Sequence, residues 1–261
     1  METENKVSNK KSNQKIFNNK VFVIAKRELK SYFSTPIALI FLTVFLVLTG
    51  FFTFKLGSFF KMGQADLAPF FVWHPWLYLF IIPAISMRLW AEERRTGTIE
   101  LLLTFPLSVL DTMLGKFLAA WFFIAIALFF TFPMVLTVCY LGDPDLGVIF
   151  SSYIGSFLMA GAFLAIGICV SASTSNQVIS FVISTSICLF FILIGFDPVV
   201  KTFRSVLPEF ISNSLVSLSF PYHFEAIQRG VVSMSDLIFF LSIIFFALYS
   251  GVIIVDRKKA D

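Results

Sequence analysis

Residues 146–196 read LGVIFSSYIGSFLMAGAFLAIGICVSASTSNQVISFVISTSICLFFILIGF, 51 positions without one charged side chain. As a single helix at about 1.5 Å per residue they would extend roughly 77 Å, against a bilayer hydrocarbon core of about 30 Å. The run is therefore two membrane spans. The break is placed at Ser171-Ala172-Ser173-Thr174-Ser175-Asn176-Gln177, small polar residues of the kind that form turns.

The same search for charge-free stretches of about 20 residues, carried outward, finds four more. Spans are expected at about 36–54, 67–87, 117–141, 148–170, 178–196 and 237–255. Pro36 opens the first, where a proline in the first turn costs little, and Pro133 predicts a tilt or kink in the third. The composition agrees. Of 261 residues, 57% are apolar and 14% charged, against about 45–50% and 25% in soluble domains, and 35 phenylalanines have no core of sufficient size to enter outside lipid. The fold class is all-α: a polytopic membrane protein with six transmembrane helices.

Lysine and arginine counts orient it. One side holds eight basic residues before the first span (Lys6 to Lys30), four in the second loop (Arg88, Arg94, Arg95, Lys116) and three in the tail (Arg257, Lys258, Lys259). The other side holds five: Lys55, Lys61, Lys201, Arg204 and Arg229. N- and C-termini are expected in the cytoplasm, and the net charge of +4 reflects this bias instead of nucleic-acid binding. The polar first 20 residues lack the apolar core of a signal peptide, so the first span is expected to be an uncleaved anchor.

Residues 1–18 form a cationic tail whose composition predicts disorder. Over 19–35, Val21, Phe22, Ala25, Leu29 and Phe33 recur at steps of three and four, with Lys26, Arg27 and Lys30 on another face, which predicts an interfacial helix in contact with membrane lipids. In the 88–116 loop, Gly97 is expected to N-cap a short helix carrying Glu100 in its first turn and ending at Pro106. Ser108-Val109-Leu110-Asp111 reads as a capping box that launches the third span. This loop is either a docking surface or a juxtamembrane loop stiffened by pairs such as Glu92 with Arg95. The outer loop, 197–236, is unusually apolar and contains Pro198, Pro208 and Pro221. It reads as two short helices broken at prolines, serving as a lid over an exit path or as interfacial packing.

No catalytic or metal-binding constellation is legible. The spans carry no central ionisable residue, which disfavours an intramembrane enzyme, a proton-coupled transporter and a voltage sensor. His74 and His223 read as interfacial anchors or as ligands, with the first preferred. The hydroxyl residues of 171–186 read as close helix packing or as a polar pathway. The cysteines Cys139, Cys169 and Cys188 lie in apolar runs without metal-ligand spacing. There is no phosphate-binding Gly-x-x-x-x-Gly-Lys-Ser/Thr loop, so any ATP chemistry belongs to a partner.

Arg27-Glu28-Leu29 with Tyr32-Phe33-Ser34-Thr35-Pro36, Pro83-Ala84-Ile85-Ser86-Met87-Arg88, Glu92-Glu93-Arg94-Arg95-Thr96-Gly97-Thr98-Ile99-Glu100-Leu101-Leu102, Pro106-Leu107-Ser108 and Gly115-Lys116 resemble the type-2 ABC transporter permease family. The stretch Leu67-Ala68-Pro69-Phe70-Phe71 with His74-Pro75-Trp76 is similar to permeases associated with gliding motility. The likeness spans about Arg27 to Lys116; beyond it rests on span number and hydropathy.

The resemblance implies a six-helix permease domain over 36–256, an amphipathic connecting helix before it, a coupling helix in the 88–116 loop and re-entrant helices between the fifth and sixth spans. It further implies a second permease subunit and an ATP-binding cassette subunit that supplies ATP and Mg, with no cofactor bound by this chain. By position, Glu28, Glu92, Glu93, Arg94, Arg95, Thr96, Gly97, Thr98 and Glu100 would meet the ATP-binding subunit. The expectation is a non-catalytic exporter subunit in the bacterial inner membrane. The alternative is a membrane anchor or scaffold that recruits a cytoplasmic partner without transport.

Overall fold

The structure, a computed structural model, describes residues 20–63, 65–98, 108–206 and 208–258. The tail expected to be disordered, and residues 99–107 with Glu100 and the Pro106 stop, lie outside these. The described residues are helical and joined by short turns. Helix α1 covers 20–34. Helix α2, Pro36–Phe51, continues through a π-helical turn over Phe52–Leu56. Short helices α3 (Phe59–Met62) and α4 (Ala68–Phe71) precede α5 (His74–Ser86) and α6 (Arg88–Arg95). Then come α7 (Val109–Phe129), α8 (Phe132–Leu141), α9 (Leu146–Ser173) and α10 (Gln177–Leu193). Helices α11 (Asp197–Val206), α12 (Glu209–Val216) and α13 (Phe220–Gln228) lead to α14 (Met234–Arg257).

Five stretches are long and apolar enough to cross a membrane: Pro36–Leu56, Ala68–Arg95, Val109–Leu141, Leu146–Ser173 and Met234–Arg257. A sixth exists if α10 and the helix after it count together, for the chain bends 64° between them. The protein is thus an all-α multi-pass membrane protein. Its centre is α9, which is buried over most of its length and packs against α14, α5, α10, α13 and α7. Small residues permit this. Gly167 leaves no room for a Cβ beside Ser86 of α5, and Gly161 lies against Trp121 of α7. Side chains at such glycines would separate the helices, which in lipid are held together by packing.

The local boundaries have identifiable chemical causes. Asp145 caps α9 by accepting from the Gly147 and Val148 amides, and Asn176 caps α10 through the Val178 and Ile179 amides. The turn inside the 51-residue apolar run is therefore made by Thr174, Ser175 and Asn176. Prolines mostly begin helices here: Pro36, Pro69, Pro75, Pro133 and Pro221 all sit in first turns, where no intrahelical N–H is needed. This accounts for a difference in the outer loop, which forms three helices and not two. Pro221 starts α13 behind the Ser219 cap instead of breaking a helix. Helix α13 belongs to the core, since Phe220 is fully buried with ring centroids 4.9 Å from Phe163 and 5.0 Å from Phe191.

Candidate functional site

The densest charged contacts gather where α1, α6 and the first turns of α7 meet. The expected capping box starts α7: Ser108 Oγ accepts from the Asp111 amide at 3.0 Å, and Asp111 Oδ2 accepts from the Ser108 amide at 3.1 Å. This fixes the path of α7 so that Gly115 faces α1. A Cβ there would lie 2.6 Å from Ile24 Cγ2 and 3.3 Å from the Val21 carbonyl oxygen, so α1 approaches α7 as closely as only glycine permits.

The next residue, Lys116, is only 2% exposed. Its Nζ lies 2.7 Å from Glu93 Oε1 on α6 and 3.7 Å from Glu28 Oε1 on α1, and 5.6 Å from the centre of the buried Trp90 ring. Arg27 pairs with the same Glu28 oxygen at 2.8 Å. One ammonium thus joins three helices. A charge so far from water persists because carboxylates and an aromatic face replace its hydration.

Helix α6 is joined equally firmly to α9. The chain breaks at Met87, between α5 and α6, leaving backbone groups without intrahelical partners. Ser171 Oγ, near the end of α9, accepts from the amides of Trp90 and Ala91, each at 3.1 Å, and donates to the Met87 carbonyl at 2.9 Å. Lys258, after α14, donates to the Ser173 carbonyl at 2.6 Å. Its ammonium is held below the ordinary lysine range, first by burial and then by the nearby Arg94 charge.

A cavity of about 320 Å³ lies between α1 and α6, lined by Glu28, Tyr32, Arg88, Glu92, Glu93 and Lys116 among others. Burial first, and the Glu28 carboxylate second, push the Tyr32 phenol up. Among these lining residues, the Tyr32 hydroxyl, Arg88 Nε and Glu93 Oε2 are buried without a hydrogen-bond partner. The cavity wall therefore keeps unused polar capacity of both signs.

Of the residues singled out from sequence, the structure brings Glu28 and Glu93 together through Lys116. Glu92 and Arg94 are half-buried, while Arg95, Thr96, Gly97 and Thr98 are exposed. Thr98 directly after Gly97 is helical, and the rest of the helix that Gly97 was expected to cap, 99–107, lies outside the described residues. The φ of +72° at Gly97 puts it in the left-handed conformation that ends α6, with its amide on the Arg94 carbonyl. Beside it, Thr96 Oγ1 donates to the Glu92 carbonyl and lies 3.0 Å from Thr98 Oγ1, giving a compact polar corner.

Lys116 was visible as one of four basic residues in the second loop and inside the Gly115-Lys116 motif; the available signal was a single cation at the mouth of an apolar run. Ser171 was visible as a turn residue and as one of the hydroxyl residues of 171–186. Both histidines are buried within the protein. His74 is fully buried with ring centroids 4.7 Å from Phe70 and 5.4 Å from Tyr78, and its Nδ1 is 3.1 Å from Ser156 Oγ. His223 is buried against Asp236. Among the described residues no group of three or more His, Cys, Asp and Glu is placed to hold a metal ion.

A family model described as ABC-2 family transporter protein matches residues 67–255 of the chain. No curated protein matches it.

Proposed function

From a chain that belongs to the ABC-2 transporter family, we propose the membrane-spanning subunit of an exporter driven by a separate ATP-binding cassette subunit. Members of this family are membrane transport components that work with an ATP-binding subunit. The ATP and Mg are that partner's, a second permease subunit completes the pore, and the complex sits in the bacterial inner membrane with both termini in the cytoplasm. The proposed contact surface for the ATP-binding subunit comprises Glu28, Glu92, Glu93, Arg94, Arg95, Thr96, Gly97, Thr98 and Glu100. The narrower likeness to gliding-motility-associated permeases, from residues 67–76, is kept as a subtype without any statement about movement.

The observation that carries the reading, beyond family, is the three-helix junction at Lys116. A force applied to α6 reaches α1 and α7 through Lys116 and reaches α9 through Ser171. Since α9 packs on most of the other spans, displacement at this end moves the bundle as bodies, in the hinge or shear manner of other switches.

The test is co-expression with an ATP-binding cassette subunit encoded beside the chain. Arg95→Glu and Glu92→Lys alter exposed or half-exposed charge without touching the Lys116 pair. Both are expected to reduce co-purification and permease-stimulated ATP hydrolysis at least several-fold while leaving the folded yield unchanged. Full stimulation in both variants, or a captured partner that hydrolyses no ATP, would overturn the proposal in favour of a scaffold.

A further inference from the structure

Beside the Gly115 contact, α1 and α7 diverge and leave a groove of about 720 Å³, within the range of sites that hold small organic ligands. Val21, Phe22, Ala25 and Leu29 of α1 form one wall, and Leu118 and Phe122 of α7 belong to the other. Its end is rigid, because the Trp121 ring is stacked flat on Phe157 at 4.3 Å and its Nε1 donates to the Phe157 carbonyl at 2.9 Å. The lining is almost wholly apolar, with one charged residue, Lys26. Lys30 follows one helical turn later, and both are exposed. Neither has an ion-pair partner among the described residues.

We infer that this groove binds one anionic phospholipid, with an acyl chain between α1 and α7 and the phosphate at Lys26 and Lys30. Depth decides the tail. An amphipathic helix such as α1 lies with its apolar face at the headgroup and acyl boundary, so a groove on that face opens to lipid chains and not to water. Charge complementarity decides the head. No acidic side chain among the described residues lines the groove, and Glu28 is engaged with Arg27 and Lys116 on another side of α1. Each lysine beside an anionic headgroup contributes roughly fivefold in affinity, so the pair should favour phosphatidylglycerol over phosphatidylcholine by about 25-fold. The inference needs only a membrane-embedded chain and stands apart from the ATP-driven reading.

The experiment uses the full chain in nanodiscs of equal phosphatidylglycerol and phosphatidylcholine, extracted into mild detergent, with retained lipid measured by native mass spectrometry. Wild type should keep phosphatidylglycerol. Lys26→Glu with Lys30→Glu should abolish the headgroup preference while some lipid is still retained. Ala25→Phe and, from the opposite wall, Leu118→Trp should lower retention of both lipids, with thermal unfolding confirming that at least one of them folds. Equal retention of both lipids by wild type, or an unchanged preference in the lysine variant, overturns the site. So does a wild type that keeps no lipid together with a Phe22→Cys variant that forms a disulfide dimer, which assigns the groove to a second copy.

Discussion

Lys116 Nζ lies 2.7 Å from Glu93 Oε1 across 23 residues of sequence, and this pair joins the helix that leaves the second span to the helix that begins the third. At 2% exposure the lysine cannot recover hydration if its partner is removed. Breaking a buried pair from one side typically costs about 3–5 kcal/mol. Lys116→Ala is therefore expected to destabilise strongly, because Glu93 would lose its cation while Glu28 keeps only Arg27. Glu93→Ala should cost less, since Glu28 remains within reach. The reversed pair, Lys116→Glu with Glu93→Lys, should recover part of the loss, with a coupling energy of about 0.5–3 kcal/mol. Thermal unfolding of wild type, Lys116→Glu, Glu93→Lys and the reversed pair in one detergent measures it, and strict additivity would show that the pair contributes nothing.

Gly115 yields a steric prediction on the same helix. An alanine Cβ would sit 2.6 Å from Ile24 Cγ2 and 2.8 Å from Ile24 Cβ, so either the side chain or α1 must move. Overpacking of this kind costs about 1–3 kcal/mol. Gly115→Ala should release α1, raising protease cleavage within 20–34. Ile24→Ala in the same chain should restore protection, although alone it would weaken α1 docking. Without that rescue, the contact is not what seats α1.

Ser171 makes a third case. One hydroxyl serves two amides and a carbonyl at the Met87 break. Ser171→Ala removes all three of these bonds at a buried site, at about 1–3 kcal/mol. Amide hydrogen exchange should rise at Trp90 and Ala91 of α6 before it rises in α9. If exchange rises uniformly instead, the hydroxyl supports the whole bundle and not the α5–α6 joint.

These residues mark what sequence could and could not disclose. Charge-free runs locate the spans because lipid tolerates few ionisable groups, and the break at 171–177 was readable because Asn176 is a good cap. The capping box at Ser108 was equally local. Lys116 counted as one basic residue on a loop and as part of the Gly115-Lys116 motif, but its pairing was hidden, since its partners lie 23 and 88 positions away and no periodicity connects them. Gly97 has a second role that composition did not disclose: its left-handed φ of +72° ends α6. His74 looked interfacial from its tryptophan neighbours, yet Ser156, 82 residues later, shares its burial.

The last prediction concerns the opposite end of the bundle. His223 Nε2 lies 2.8 Å from the Ser217 carbonyl oxygen, which can only accept, so the proton is on Nε2. Nδ1 lies 2.6 Å from Asp236 Oδ1, and Asp236 Oδ2 accepts from Ser233 Oγ at 2.8 Å. Asp236→Asn can keep the geometry, because its amide N–H donates to a neutral Nδ1 while its oxygen accepts from Ser233. Asp236→Ala can replace neither bond and leaves His223, which stacks on Phe239 at 4.0 Å, with an unpaired nitrogen. The asparagine variant should therefore stay within about 1 kcal/mol of wild type, whereas the alanine variant should lose about 1.5–3 kcal/mol, the range for hydrogen bonds to charged groups. Thermal unfolding ranks the two, and labelling of a cysteine at exposed Phe210 reports whether the outer helices loosen. Equal losses would mean that the charge of Asp236, and not its hydrogen bonds, holds α13 to α14.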